Sequence, residues 1–154
     1  MPSSLPPVVV NGGLIEGKTS DVDASITLYL GIPYAAPPTG PRRFQPPQPV
    51  IPWDGVKQCH QIGPLCPQAP PDPRWINVLQ GHPQSEDCLY LNVFQPGEAH
   101  EKPYPVFVWF HGGGFREGGS ADPNFDGTAL AKKGLIVVVP SFRLCKCKPE
   151  YFLR

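Results

Sequence analysis

Two stretches of the chain, residues 106–110 (VFVWF) and 135–139 (LIVVV), are apolar at every position. A strand with one wet face alternates apolar and polar residues. A continuously apolar strand is buried on both faces, as in the parallel sheet of an α/β protein. Between the two runs, residues 127–133 carry the helix formers Ala129, Leu130 and Ala131. Asp126 is placed to cap that segment, Lys132 and Lys133 suit the negative end of its dipole, and Gly134 suits its stop. Strand, Gly-rich turn, short helix and strand together read as a right-handed crossover unit.

The remaining strands are shorter signals. Residues 8–10 (VVV), then Asn11-Gly12-Gly13, then Leu14-Ile15 predict a small hairpin. Residues 27–34 (TLYLGIPY) and 89–94 (LYLNVF) are rich in β-branched, aromatic and Leu side chains and read as strands. Between these two lies a Pro-rich connection: 13 of the 23 prolines fall between Pro33 and Pro73. Each removes a backbone donor and fixes φ, so turns and extended chain are expected there. Phe44, Val50, Ile51 and Trp53 are apolar anchors that would hold this connection over a core. Pro46-Pro47-Gln48-Pro49 matches a P-x-x-P ligand, but such matches are common in Pro-rich chain, and a packed loop is the stronger reading. No internal repeat is present.

Charge removes several function classes. The 13 basic and 13 acidic residues balance, which gives no electrostatic footprint for nucleic acid or an anionic membrane. No apolar run approaches the length of a membrane span. The first ten residues lack a basic start and an adequate apolar core, so no signal peptide is expected and a cytoplasmic location is the default. Five cysteines is an odd count, and none forms C-x-x-C. Cys145-Lys146-Cys147 is a lone C-x-C without a companion His cluster, so neither a metal site nor a redox centre is expected, and no cofactor is called for.

The feature that carries chemistry is His111-Gly112-Gly113-Gly114-Phe115, directly after the first apolar run. Three glycines without Cβ atoms let the backbone adopt unusual φ/ψ and come close to a ligand. Two successive N–H groups can then point at one spot, which in acyl transfer holds the developing oxyanion. A flexible glycine turn is the plain alternative. A phosphate cradle fits poorly at this loop, because its glycines form neither G-x-G-x-x-G nor G-K-[ST].

HGGGF after an apolar strand resembles the oxyanion-hole motif of esterases and lipases. The flanking residues resemble the type-B carboxylesterase family, which includes the cholinesterases. Ser85-Glu86-Asp87-Cys88-Leu89-Tyr90-Leu91-Asn92-Val93 is similar to its second signature. Leu30-Gly31-Ile32-Pro33-Tyr34-Ala35, then Pro37-Pro38, Arg43-Phe44 and Pro46, is similar to its opening segment. Trp53, Gly55-Val56 and Cys66-Pro67-Gln68 follow in the same order, and the likeness runs over about residues 14–144.

The resemblance implies the N-terminal part of an α/β-hydrolase fold: a mixed, mostly parallel sheet, cut before the strand that bears the nucleophile. Residues 1–144 would be the partial domain and 145–154 a divergent tail. In that fold the first four strands lie in the order first, second, fourth, third, so residues 135–139 should sit between 89–94 and 106–110. Gly113 and Gly114 correspond to the oxyanion-hole donors, with His111, Gly112 and Phe115 supporting them. Cys66 and Cys88 correspond to the family's first disulfide, and Glu86 and Asp87 to structural positions. The implied partner is a small-molecule carboxylic ester, taken by the full-length relative, and family members are often secreted.

The catalytic triad is missing. The family presents its nucleophile on a G-x-S-x-G elbow. Ser3, Ser4, Ser20, Ser25, Ser85 and Ser141 lack Gly two residues earlier, and Ser120 follows Gly118 but has Asp122 where the second Gly belongs. His60, His82, His100 and His111 all precede the region where the family's base lies. Ser141-Phe142-Arg143-Leu144 fits the end of the next strand, but residues 145–154 match nothing in the pattern, as though the chain were cut short. The leading expectation is therefore an esterase-family fragment that keeps the oxyanion loop and is inactive alone. Without a following strand, residues 106–110 become an exposed edge that favours self-association. The alternative is a non-catalytic, cholinesterase-like binding or scaffold module, since fold alone does not fix function.

Overall fold

The structure is a computed structural model, and it describes residues 5–68, 79, 81–97 and 101–144. The tail, with Cys145 and Cys147, and His100 lie outside the described residues.

The hairpin forms where expected. β1 (Val8–Val10) pairs antiparallel with β2 (Gly13–Glu16), with Val10 opposite Gly13. Trp53 covers the turn: its backbone N–H donates to Gly12 O and its indole Nε1 to Leu14 O, each at 2.9 Å. β5 (Val56–Gln58) joins β2 in parallel and completes a three-stranded sheet.

Among the described residues the main sheet has five strands. β3 (Lys18–Thr19), β4 (Ile26–Pro33), β6 (Tyr90–Pro96), β7 (Val106–Val108) and β8 (Ile136–Pro140) lie in the order β3-β4-β6-β8-β7. β8 is inserted between β6 and β7, the strand order expected above. The sheet is mixed, but the expectation of a mostly parallel one is corrected. β3/β4, β4/β6 and β6/β8 are antiparallel, and only β7/β8 is parallel. The physical reason lies in the connections. A parallel pair needs a crossover, and the segment holding α1 (Thr128–Ala131) supplies one between β7 and β8.

β4 feeds both faces of the sheet. Ile26, Leu28 and Leu30 join Phe94, Ala131, Val137 and Val139 in one core beneath α1. Tyr29 and Ile32 pack with Ile15 and Cys59 on the side of the small sheet. Tyr29 and Ile32 are three apart, so strict alternation would put them on opposite faces. The register shift between them absorbs the extra residue as a bulge. Gly31, in this bulge, donates its N–H to Asn92 Oδ1 at 3.0 Å.

α1 is a single turn. The N-cap is Gly127 rather than the expected Asp126, which sits one residue earlier and still accepts from Thr128 N through Oδ1 at 2.8 Å. Lys132 reaches across to Asp23 Oδ2 at 2.7 Å, tying the end of α1 to the turn before β4. Asp23 Oδ1 also accepts from Ser25 N and Oγ. Lys132 chiefly, and then Ser25, hold the Asp23 carboxyl well below the usual carboxylate range. Such a depressed carboxylate stabilises the fold above its unfolded pKa, 3.8 for Asp, and the contribution drains away as pH falls below that. Between pH 5 and 2 the native chain should therefore lose stability faster than Lys132→Met. Parallel acid limbs in urea titrations of the two would refute this.

Candidate functional site

Residues 111–119 leave the end of β7 and return toward the sheet. Gly113, Gly114 and Phe115 have φ of +108°, +58° and +58°. This run of left-handed backbone explains Gly113 and Gly114. At Gly113 a Cβ would run into the carbonyl of Glu117. Residues 112–117 are exposed, whereas His111, Gly119 and Ser120 are buried.

Two carbonyl groups of the loop are turned inward. His111 Nδ1 donates to Gly112 O at 2.8 Å. Arg116 N and Glu117 N donate to Gly113 O at 3.0 and 3.3 Å. No peptide bond among the described residues is cis. In a trans peptide the N–H points opposite to the carbonyl of the preceding residue. Fixing the Gly112 and Gly113 carbonyls therefore aims the Gly113 and Gly114 N–H groups the other way, out of the loop. Among the described residues, neither N–H donates to a protein acceptor.

The His111 ring is clamped. It stacks on Phe142 at 4.2 Å and 11°, and lies parallel to Phe125 at 6.5 Å. Its Nε2 is buried without a hydrogen-bond partner. Phe115, also singled out from the sequence, is exposed and meets Phe142 edge-on at 6.2 Å. The return of the loop is pinned by a buried polar network. Asn92 Nδ2 donates to Ser120 O at 3.0 Å, Ser120 N donates to Ser141 Oγ at 3.1 Å, and Tyr34 OH donates to Ser141 O at 2.7 Å. Burial pushes the Tyr34 hydroxyl up to about 12, so it remains a donor at neutral pH.

The disulfide implied for Cys66 and Cys88 is not formed: both are buried free thiols, as is Cys59. Cys66 and Cys88 do adjoin. Their proximity holds the Cys66 thiol below its usual range and, with burial, pushes that of Cys88 up. Leu144 N also donates to Cys66 Sγ at 3.0 Å. The Cys66 thiol donates in return to Leu144 O at 3.9 Å. Glu86 and Asp87 have structural partners: Arg43 Nε to Glu86 Oε1 at 2.6 Å, and Tyr90 OH to Asp87 Oδ2 at 2.9 Å. No cluster of three His, Cys, Asp or Glu suited to a metal occurs among the described residues, and none of their helices is long and apolar enough to span a membrane.

A β-sheet of this order, with a left-handed glycine loop at the end of β7 directing two N–H groups outward, defines a partial α/β-hydrolase. Residues 4–146 match the Carboxylesterase family, and the chain belongs to it. It is 40% identical over 131 residues to fumonisin B1 esterase of Sphingopyxis macrogoltabida, which covers 85% of this chain and 23% of that protein. It is 40% identical over 132 residues to para-nitrobenzyl esterase of Bacillus subtilis (strain 168), covering 86% and 26%. Mouse carboxylesterase 1F is 39% identical over 155 residues, covering 93% and 27%. Among solved structures, a thermophilic PNB esterase superposes with a TM-score of 0.80 at 40% identity, over 90% of this chain and 28% of that one. The chain thus spans about a quarter of the length of these relatives.

Proposed function

We propose that residues 111–119 form the oxyanion-stabilising wall of a carboxylic-ester hydrolase site, with Gly113 and Gly114 N–H as the donors. The observation that carries this reading is the pair of inward-turned carbonyls. It leaves two adjacent N–H groups exposed, unbonded and preorganised, as attack on an ester carbonyl requires. Loss of one such donor costs about a hundredfold or more in rate. His111 and Phe115 support the loop. The serine nucleophile, its base and its acid belong to sequence outside these 154 residues, and the substrate class is a small carboxylic ester. When the chain stands alone, a second copy pairs with its β7 edge.

The 154-residue chain by itself should hydrolyse p-nitrophenyl esters no faster than a heat-denatured control, because residual oxyanion-hole catalysis still needs a bound, oriented substrate. Saturable turnover abolished by a serine-reactive phosphonate would contradict this. Transcript sequencing through codon 145 supplies the second arm. A frame continuing into G-x-S-x-G, whose product hydrolyses the ester, supports the hydrolase reading; a stop without an elbow favours the binding-module alternative.

A further inference from the structure

Gln68 lies outside the glycine loop, yet its side-chain amide is spent on it. Gly118 N donates to Gln68 Oε1, and Gln68 Nε2 donates to Gly118 O, both at 2.9 Å. This two-way pair imitates one rung of a β-ladder. The second Nε2 hydrogen goes to Cys66 O at 3.1 Å, and the Gln68 backbone N–H is held by Gln84 Oε1 at 3.0 Å. Both amide hydrogens and the amide oxygen are therefore engaged, and Gln68 is anchored by Cys66 and Gln84 as well as by the loop. Its orientation is unambiguous, because the reverse would set an N–H against Gly118 N–H and an oxygen against two carbonyls.

Gly118 in turn touches the groups that aim the donors. Its φ is +111°, and a Cβ there would lie 2.5 Å from His111 Nδ1 and 3.0 Å from Gly112 O. It is packed against the His111 Nδ1–Gly112 O hydrogen bond, which fixes the Gly112 carbonyl and hence the Gly113 N–H.

We infer that Gln68 is a positioning residue for the oxyanion donors, acting by clamping Gly118 against the His111–Gly112 hydrogen bond. The inference rests on the reading of Gly113 and Gly114 as those donors. The clamp has a chemical requirement that only an amide meets here: one acceptor and two donors in one plane. Gln68→Glu keeps the acceptor for Gly118 N–H but faces two carbonyl oxygens with a carboxylate. Gln68→Met keeps the length and removes all three bonds.

The test uses the full 154-residue chain with 15N-labelled glycine, read by magic-angle-spinning NMR so that self-association does not interfere. In both variants the resonances of Gly112, Gly113, Gly114 and Gly118 should move by more than a linewidth. Those of Gly31 and Gly97, in and beside the main sheet, should stay. A shift confined to Gly118, or no shift, would overturn the inference. So would movement of Gly31 and Gly97 in both variants, since Gln68 would then be a general fold residue. The measurement needs no turnover, so failure of the hydrolase reading, which shows in the ester assay, is separable from failure of the clamp.

Discussion

At micromolar concentration the 154-residue chain should sediment as oligomers, and Val108→Lys should return it to monomer. β7 has a partner on one side only among the described residues. Its bonds to β8 use Trp109 N, which donates to Val138 O at 2.8 Å, and Pro105 O, which accepts from Ile136 N at 2.9 Å. Alternation along the strand then turns the N–H and C=O groups of Val106 and Val108 outward. Natural edges are blunted by Lys, Pro or a bulge, and residues 106–110 contain neither Lys nor Pro. The side chains add to the effect, with Val106 60% and Phe110 66% exposed. An apolar edge with free backbone groups is a template for a second copy of the same strand. A lysine at position 108 adds a charge that pairing would have to bury. Sedimentation velocity decides the matter: a monomeric native chain would refute the proposal, and so would oligomers that persist unchanged in Val108→Lys.

Much of this edge is legible in the sequence, while the order of the strands around it comes from the family resemblance. The two apolar runs and the intervening helix formers locate β7, α1 and β8. Apolarity on both faces suggests burial on both faces, and from that a more parallel sheet than the one that forms. In β7 the apolarity instead meets solvent: all three residues, Val106, Phe107 and Val108, are exposed. The glycine loop is legible because HGGGF is a dense local pattern. The roles of Gln68 and Asn92 are not, since each acts on backbone groups far along the chain, 50 residues away for Gln68 and Gly118. The one sequence signal for Asn92 is a polar residue inside the otherwise apolar LYLNVF. The Cys66 and Cys88 pairing comes from resemblance, and the structure retains the adjacency without the bond.

Asn92 carries the larger stability prediction. The residue is 1% exposed, and its side chain bridges β4 and the return of the glycine loop, accepting from Gly31 N and donating to Ser120 O, both at 3.0 Å. Asn92→Leu introduces a somewhat larger, apolar side chain and strands one backbone donor and one backbone acceptor. Each costs about 1–3 kcal/mol when buried without a partner. The leucine's own burial offsets part of this, which leaves a net loss of roughly 2–4 kcal/mol. For a chain of this size that corresponds to a Tm lower by about 5–15 °C. The measurement is best made in the Val108→Lys background, by thermal and urea unfolding followed through tryptophan fluorescence. Asn92→Asp supplies the control with a sign. At neutral pH the new carboxylate still accepts from Gly31 N but opposes the Ser120 carbonyl, and burial favours the protonated acid. Its folded pKa is therefore raised above the unfolded one. The variant's stability relative to the native chain should be greatest below the unfolded value of about 3.9 and should fall as pH rises through the folded pKa. Once protonated, the introduced carboxylic acid donates to Ser120 O much as the amide does, so the deficit should shrink in acid. An Asn92→Leu chain melting within about 2 °C of its parent, well under the shift expected for two stranded groups, would show that water or a backbone shift satisfies both, and that the glycine loop is not held to the sheet through Asn92.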